Sequence, residues 1–145
     1  MSHHTWHNYG YGICTAKLET AEVSRIQALI RCAPEYEKVV NKLLQERGVT
    51  EPTAEDYLEL EINGPYGIAS ILQDVILEAE CLLFTACDDY NCNNYLLYMP
   101  SYPWHLQRNE HNLTEETVKQ IFAKYVTVLS DEVLEVDYES VENGG

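Results

Sequence analysis

The sequence predicts an α+β domain: a mainly antiparallel sheet of about four strands, in the order β-α-α-α-α-β-β-α-β, with helices packed on one face. Three observations lead there. Apolar residues recur at helical spacing through much of residues 20–79 and again after residue 114. β-rich runs stand apart from them, near the start, at 81–99 and at the end. No internal repeat, linker or low-complexity tract interrupts the 145 residues. Residues 1–145 are therefore expected to form one domain with flexible ends, burying roughly 70% of the unfolded surface.

Each element has its own justification. Residues 6–14, WHNYGYGIC, read as a first strand with close backbone neighbours at Gly10 and Gly12. Thr20 is an N-cap candidate for a helix carrying Val23, Ile26 and Ile30. Pro34 suits the first turn of the next helix, where Tyr36, Val39, Val40, Leu43 and Leu44 draw a stripe that Gly48 stops. A short helix over 53–60 has Thr53 as its cap, with Glu55 and Asp56 at its positive end. Over 66–78, Ile68, Ile71, Leu72, Val75 and Ile76 continue to Ala79 as the strongest helical stripe. Residues 81–87 and 95–99 then read as a hairpin with a seven-residue tip. Thr114 caps a last helix, with Leu113 and Val118 placed as a hydrophobic staple and Ile121, Phe122 and Tyr125 in the stripe. Residues 133–141 alternate as a half-exposed strand, with Leu134, Val136 and Tyr138 on one face and Glu135, Asp137 and Glu139 on the other.

The charge is −15 and unevenly spread. Residues 1–50 hold six bases and five acids, residues 51–107 hold ten acids and no base, and residues 108–145 hold nine acids and three bases. Phosphate binding needs clustered Lys and Arg, so direct contact with nucleic acid is disfavoured, as is an anionic membrane surface. A basic protein partner fits. So does the simpler view that the charge serves solubility. The polar start lacks an apolar leader, and five cysteines lie mostly within apolar runs, which together suggest a cytoplasmic protein with reduced thiols.

Specific chemistry is sparse. Asp89, Asn91 and Asn93 alternate like the first ligands of a calcium loop, but positions six and twelve are Asn94 and Pro100 instead of Gly and Glu. Cys87 and Cys92 lack a second ligand pair at zinc-finger spacing. Asp and Asn favour turns, so residues 88–94 are read as a hairpin tip without metal. His3, His4 and His7 are read as part of an unstructured polar start, not as a chelate. Cys81 and Cys87 suit a core. Cys92 is the thiol most exposed by position, and an enzyme using Cys92 or Asp88/Asp89 with His105 is the weakest of three readings. No phosphate loop, nucleophile elbow or metalloprotease motif occurs. Tyr102 and Trp104, stiffened by Pro100 and Pro103, could present an aromatic binding surface. Gly144-Gly145 is similar to the end of ubiquitin-like modifiers, but the helices before the hairpin fit those short domains poorly.

The segments YGYGIC, YMPSYPWH and DYESVENGG resemble those of uncharacterised small acidic proteins from Gram-positive bacteria and their mobile elements, over nearly the whole chain. That resemblance implies no activity, cofactor or site residue. The resulting expectation is a non-catalytic binding protein without cofactor, monomeric or weakly dimeric. Its partner would be a basic protein surface, and the most specific version is an inhibitor or decoy of a nucleic-acid-handling protein, of the anti-CRISPR, anti-restriction or immunity kind. The contact residues would be Glu135, Asp137, Glu139, Glu55, Asp56, Glu59, Tyr102 and Trp104. A regulatory binding protein whose charge serves only solubility is the alternative.

Overall fold

The computed structural model describes residues 5–62, 64–99 and 113–144. Its order is β1 (Thr5–Cys14), α1 (Val23–Ile30), α2 (Pro34–Glu46), α3 (Ala54–Leu58), α4 (Ile68–Glu80), β2 (Thr85–Asp88), β3 (Asn94–Tyr98), α5 (Glu115–Leu129) and β4 (Asp137–Gly144). The four strands form one sheet in the spatial order β2-β3-β1-β4, every pairing antiparallel. The expected α+β class and order are present.

β1 is central because it can face two ways at close quarters. Ile13 is buried in line with Leu96 of β3, and Leu96 with Ala86 of β2, so this face of the sheet receives the helices. Gly10 and Gly12 occupy the opposite face. A Cβ at either would overlap a β3 carbonyl, that of Tyr98 or Leu96, so glycine permits the close approach. Against the helical face pack Leu29, Ile68, Leu72, Ile76, Phe122 and Tyr125, all in one core. Phe84, just before β2, joins it with its ring centroid 5.2 Å from that of Phe122. A small second cluster of Cys87, Leu97 and Val141 is buried on the other face.

The helix ends show how the chain stops and starts. Pro34 opens α2, and the backbone N–H groups of Glu35 and Tyr36 donate to the two oxygens of Glu78 on α4, at 3.0 and 2.8 Å. Gly48, at φ +74°, ends that helix in the left-handed region. Thr53 and Asp56 form a reciprocal capping box at α3. Thr114 caps α5 by accepting from the Thr117 N–H at 3.1 Å. Leu113 and Val118 both reach the core, as a staple requires.

Several boundaries differ from expectation. Thr20 does not cap α1. Its hydroxyl donates to the Lys17 carbonyl at the end of a 3-10 turn over Ala16–Thr20, and α1 starts three residues later, after Glu22. α3 ends at Leu58, two residues short of expectation. α4 begins with its stripe at Ile68 and ends at Glu80, two residues later at each end than the expected 66–78, and Ala79 is exposed. That extension displaces Cys81 from the hairpin: it takes a left-handed backbone at the C-cap of α4 and is exposed, so it is not a core residue. β2 is accordingly only four residues long. β4 is shifted towards the C-terminus, so that Val133 and Glu135 precede it and Gly144 lies within it, opposite Thr5. His7, expected in an unstructured start, is held in β1 opposite Glu142. Among the described residues no helix is long and apolar enough to cross a membrane.

Candidate protein-binding groove

The chain leaves α5 at Ser130, where the backbone becomes extended, and returns along the helix to reach β4. Val136 anchors that return in the core, and Leu134 is half-buried beside it. Phe122, Ala123, Val126 and Thr127 follow one another at helical spacing on the facing side of α5. Ala123 and Thr127 are too small to fill the gap. The result is a half-open groove of about 480 Å³ between α5 and residues 132–137. Its size lies within the usual range for ligand sites, roughly 300–1,000 Å³.

The floor is apolar and the rim is acidic. Glu132 and Glu135 stand on one side, with Lys119 across from them, and Asp137, whose side chain lies on the far face of the sheet, closes the end. Lys119 is engaged by Glu115 at 3.2 Å, one turn earlier on the helix. Glu132 lies 4.0 Å from Lys17, with both side chains well exposed, so that pair contributes little. Neither Glu135 nor Asp137 has a cationic partner among the described residues. Val133 is 89% exposed at the edge, where a contacting partner would cover it.

The expected contact residues do not converge on one surface. Glu135 and Asp137 belong to the groove. In the β1–β4 register Asp137 aligns with Gly12 and Glu139 with Gly10, on the face away from the helices. Burial, and then the neighbouring Asp137, raises the Glu139 carboxyl above its ordinary range. Glu55, Asp56 and Glu59 lie instead around α3 in the helical layer, where Gln27 of α1 donates to the Tyr57 hydroxyl at 3.0 Å. Asp56 is further committed to the capping box. The two acidic rows therefore face different sides of the molecule. Tyr102, Trp104 and His105 lie outside the described residues.

The hairpin tip is organised by Asp89. Its Oδ1 accepts from the Asn91 and Asn93 N–H groups at 2.9 and 3.0 Å, and its Oδ2 from the Tyr95 hydroxyl at 3.3 Å. Burial alone would raise its pKa, but these hydrogen bonds outweigh burial and hold the carboxyl low. Both oxygens thus serve the turn. Cys92 is exposed there at φ +61°, while burial first, then Asp88 and Asp89, push the Cys87 thiol up to about 11. Cys87 is therefore a protonated core side chain near neutrality, unsuited to nucleophilic attack.

Sequence reasoning placed Phe122 in the core but did not find the groove that it floors. Two signals were available: small residues at 123 and 127 on a bulky helix, and Val133 amid acids. No protein-family model matches the chain, and neither a curated protein nor a solved structure matches it.

Proposed function

We propose that this protein acts by binding, and that the groove between α5 and residues 132–137 holds a basic segment of a partner protein by an apolar anchor. The observation that carries this reading is the joint presence of an apolar floor and an unbalanced acidic rim in one groove. An apolar side chain entering over Phe122, Ala123 and Val126 would displace water from apolar surface. Lys or Arg residues beside that anchor would meet Glu132 and Glu135, with Asp137 at the end of the groove. Charge supplies selectivity and encounter rate, and the anchor supplies residence time. Occupation of a nucleic-acid-binding groove by an extended acidic surface has weaker support, because the α3 acids and the β4 acids lie on different faces.

Selection of displayed random twelve-residue peptides against the protein tests this. The enriched sequences should pair an aliphatic or aromatic residue with nearby Lys or Arg. Ala123→Trp, which fills the groove from an exposed helix position, should weaken their binding at least tenfold while leaving the melting temperature nearly unchanged. Enrichment without basic residues, or equal binding by the Trp variant, contradicts the proposal.

A further inference from the structure

β4 is an outer strand of the sheet, and β1 is the only strand hydrogen-bonded to it among the described residues, while β2 approaches it across the curled sheet, where Val141 packs with Cys87. Alternate N–H and C=O groups on its other side therefore have no described strand to pair with. At about 3.3 Å per residue, its eight residues span roughly 26 Å, and the part nearest the groove, from Asp137 to Ser140, is the more exposed. Such an edge takes up a strand from another chain unless its side chains forbid it.

Those side chains sort by face. Asp137 and Glu139 project on the side away from the helices, about 6.6 Å apart. On the other side stand Tyr138, which is 58% exposed and set edge-on against Tyr11, and the exposed Ser140. A second copy of this chain is a poor occupant. Antiparallel pairing of β4 with itself would bring the carboxylates of Asp137, Glu139 and Glu142 close to those of the copy, and like charges across a ladder are destabilising.

We infer that the outer edge of β4 receives an extended segment of a basic partner by strand addition. Lys or Arg at alternate positions face Asp137 and Glu139, and an apolar or aromatic residue between them lies beside Tyr138. The inference rests on the groove reading, since the groove ends at Asp137, where β4 begins. A segment leaving the groove runs directly onto the edge. Backbone pairing gives the contact its strength, and the alternation of side chains gives it register.

Two peptides of one composition separate the possibilities: Lys-Val-Lys-Tyr-Lys-Val-Lys-Val, which can alternate, and Lys-Lys-Lys-Lys-Val-Tyr-Val-Val, which cannot. The first should bind at least tenfold tighter and slow amide hydrogen exchange along residues 138–144. Glu139→Lys should remove that advantage. Methylating the alternate peptide nitrogens that face β4 should abolish binding, and methylating the other set should not. Equal binding by both peptides overturns strand addition. Protection confined to residues 119–136 also overturns it, but leaves the groove reading standing. If β4 is protected in the wild type and in Ala123→Trp alike, strand addition holds and the groove is not the anchor. No change in exchange anywhere defeats both.

Discussion

Asp89 shows how a single acidic residue can be structural in a chain this acidic. It accepts from two backbone N–H groups and the Tyr95 hydroxyl, so Asp89→Ala should destabilise the protein by about 1.5–3 kcal/mol at pH 7. The sign of the pH dependence follows from its lowered pKa. A carboxyl held below its ordinary 3.8 contributes stability that is complete above that value and lost as pH falls through the folded pKa. Denaturation of wild type and variant should differ constantly from pH 7 to about pH 5, and the gap should narrow below about pH 4. A gap that widens on acidification would contradict this assignment. Gly12 makes the opposite kind of demand, for absence. A Cβ there meets the Leu96 carbonyl, which belongs to backbone and cannot turn aside, so Gly12→Ala should cost about 1–3 kcal/mol or more. Residue roles of this kind were partly legible: the turn preference of Asp and Asn, and the two glycines of β1, could be read directly. That Asp89 serves Tyr95, six residues on, could not, because it depends on hairpin register.

At the scale of elements, the tie between α2 and α4 is the clearest long-range device. Glu78 reaches across to cap the first turn of α2, so Glu78→Ala should cost about 0.5–2 kcal/mol, measured by denaturant melting. Leu72→Ala or Phe122→Ala, in the best-packed helices, should cost roughly 2–5 kcal/mol, and a cost near zero would mean that the helix faces are misassigned. Helices were legible because their stripes are long and their caps local: Pro34, Thr53 and Thr114 each sit where expected. Strand ends were not. Cys81 and Leu82 look β-rich, yet α4 holds its i→i−4 hydrogen bonds through to Cys81, whose N–H donates to the Leu77 carbonyl. Likewise Val133 alternates with its neighbours as a strand would, but pairing with β1 begins only at Asp137. Alternation reports which side chains could share a face, and hydrogen bonding to a partner decides where a strand begins. The groove lies in that difference, since residues 132–136 run beside α5 instead of in the sheet.

Across the whole molecule, the −15 charge divides into two kinds. Asp56, Asp74, Glu78, Glu80 and Asp89, half of the ten acids in the base-free stretch, are held within the fold. Glu80, for example, accepts from the Lys124 ammonium at 3.0 Å and from the Tyr125 hydroxyl. These acids answer needs of the fold, so composition alone overstates the charge available to a partner. Glu135 and Asp137 are of the other kind, lying at an apolar groove whose lining lysine, Lys119, is engaged by Glu115 and forms no ion pair with them. All five cysteines are free, and the aligned Cys14 and Cys87 flank Tyr95 from two strands. That places them about 9.5 Å apart, beyond disulfide reach, so dithiothreitol should leave the melting temperature unchanged. The most direct test of the groove is the salt dependence of its affinity for a selected basic peptide. For wild type, raising NaCl from about 50 to 500 mM should weaken binding at least tenfold, as screening shortens the reach of the rim charges. The triple variant Glu132→Gln, Glu135→Gln, Asp137→Asn should bind weakly at both concentrations, with little salt dependence left. Equal salt dependence in wild type and triple variant would place the charge recognition elsewhere and contradict the account.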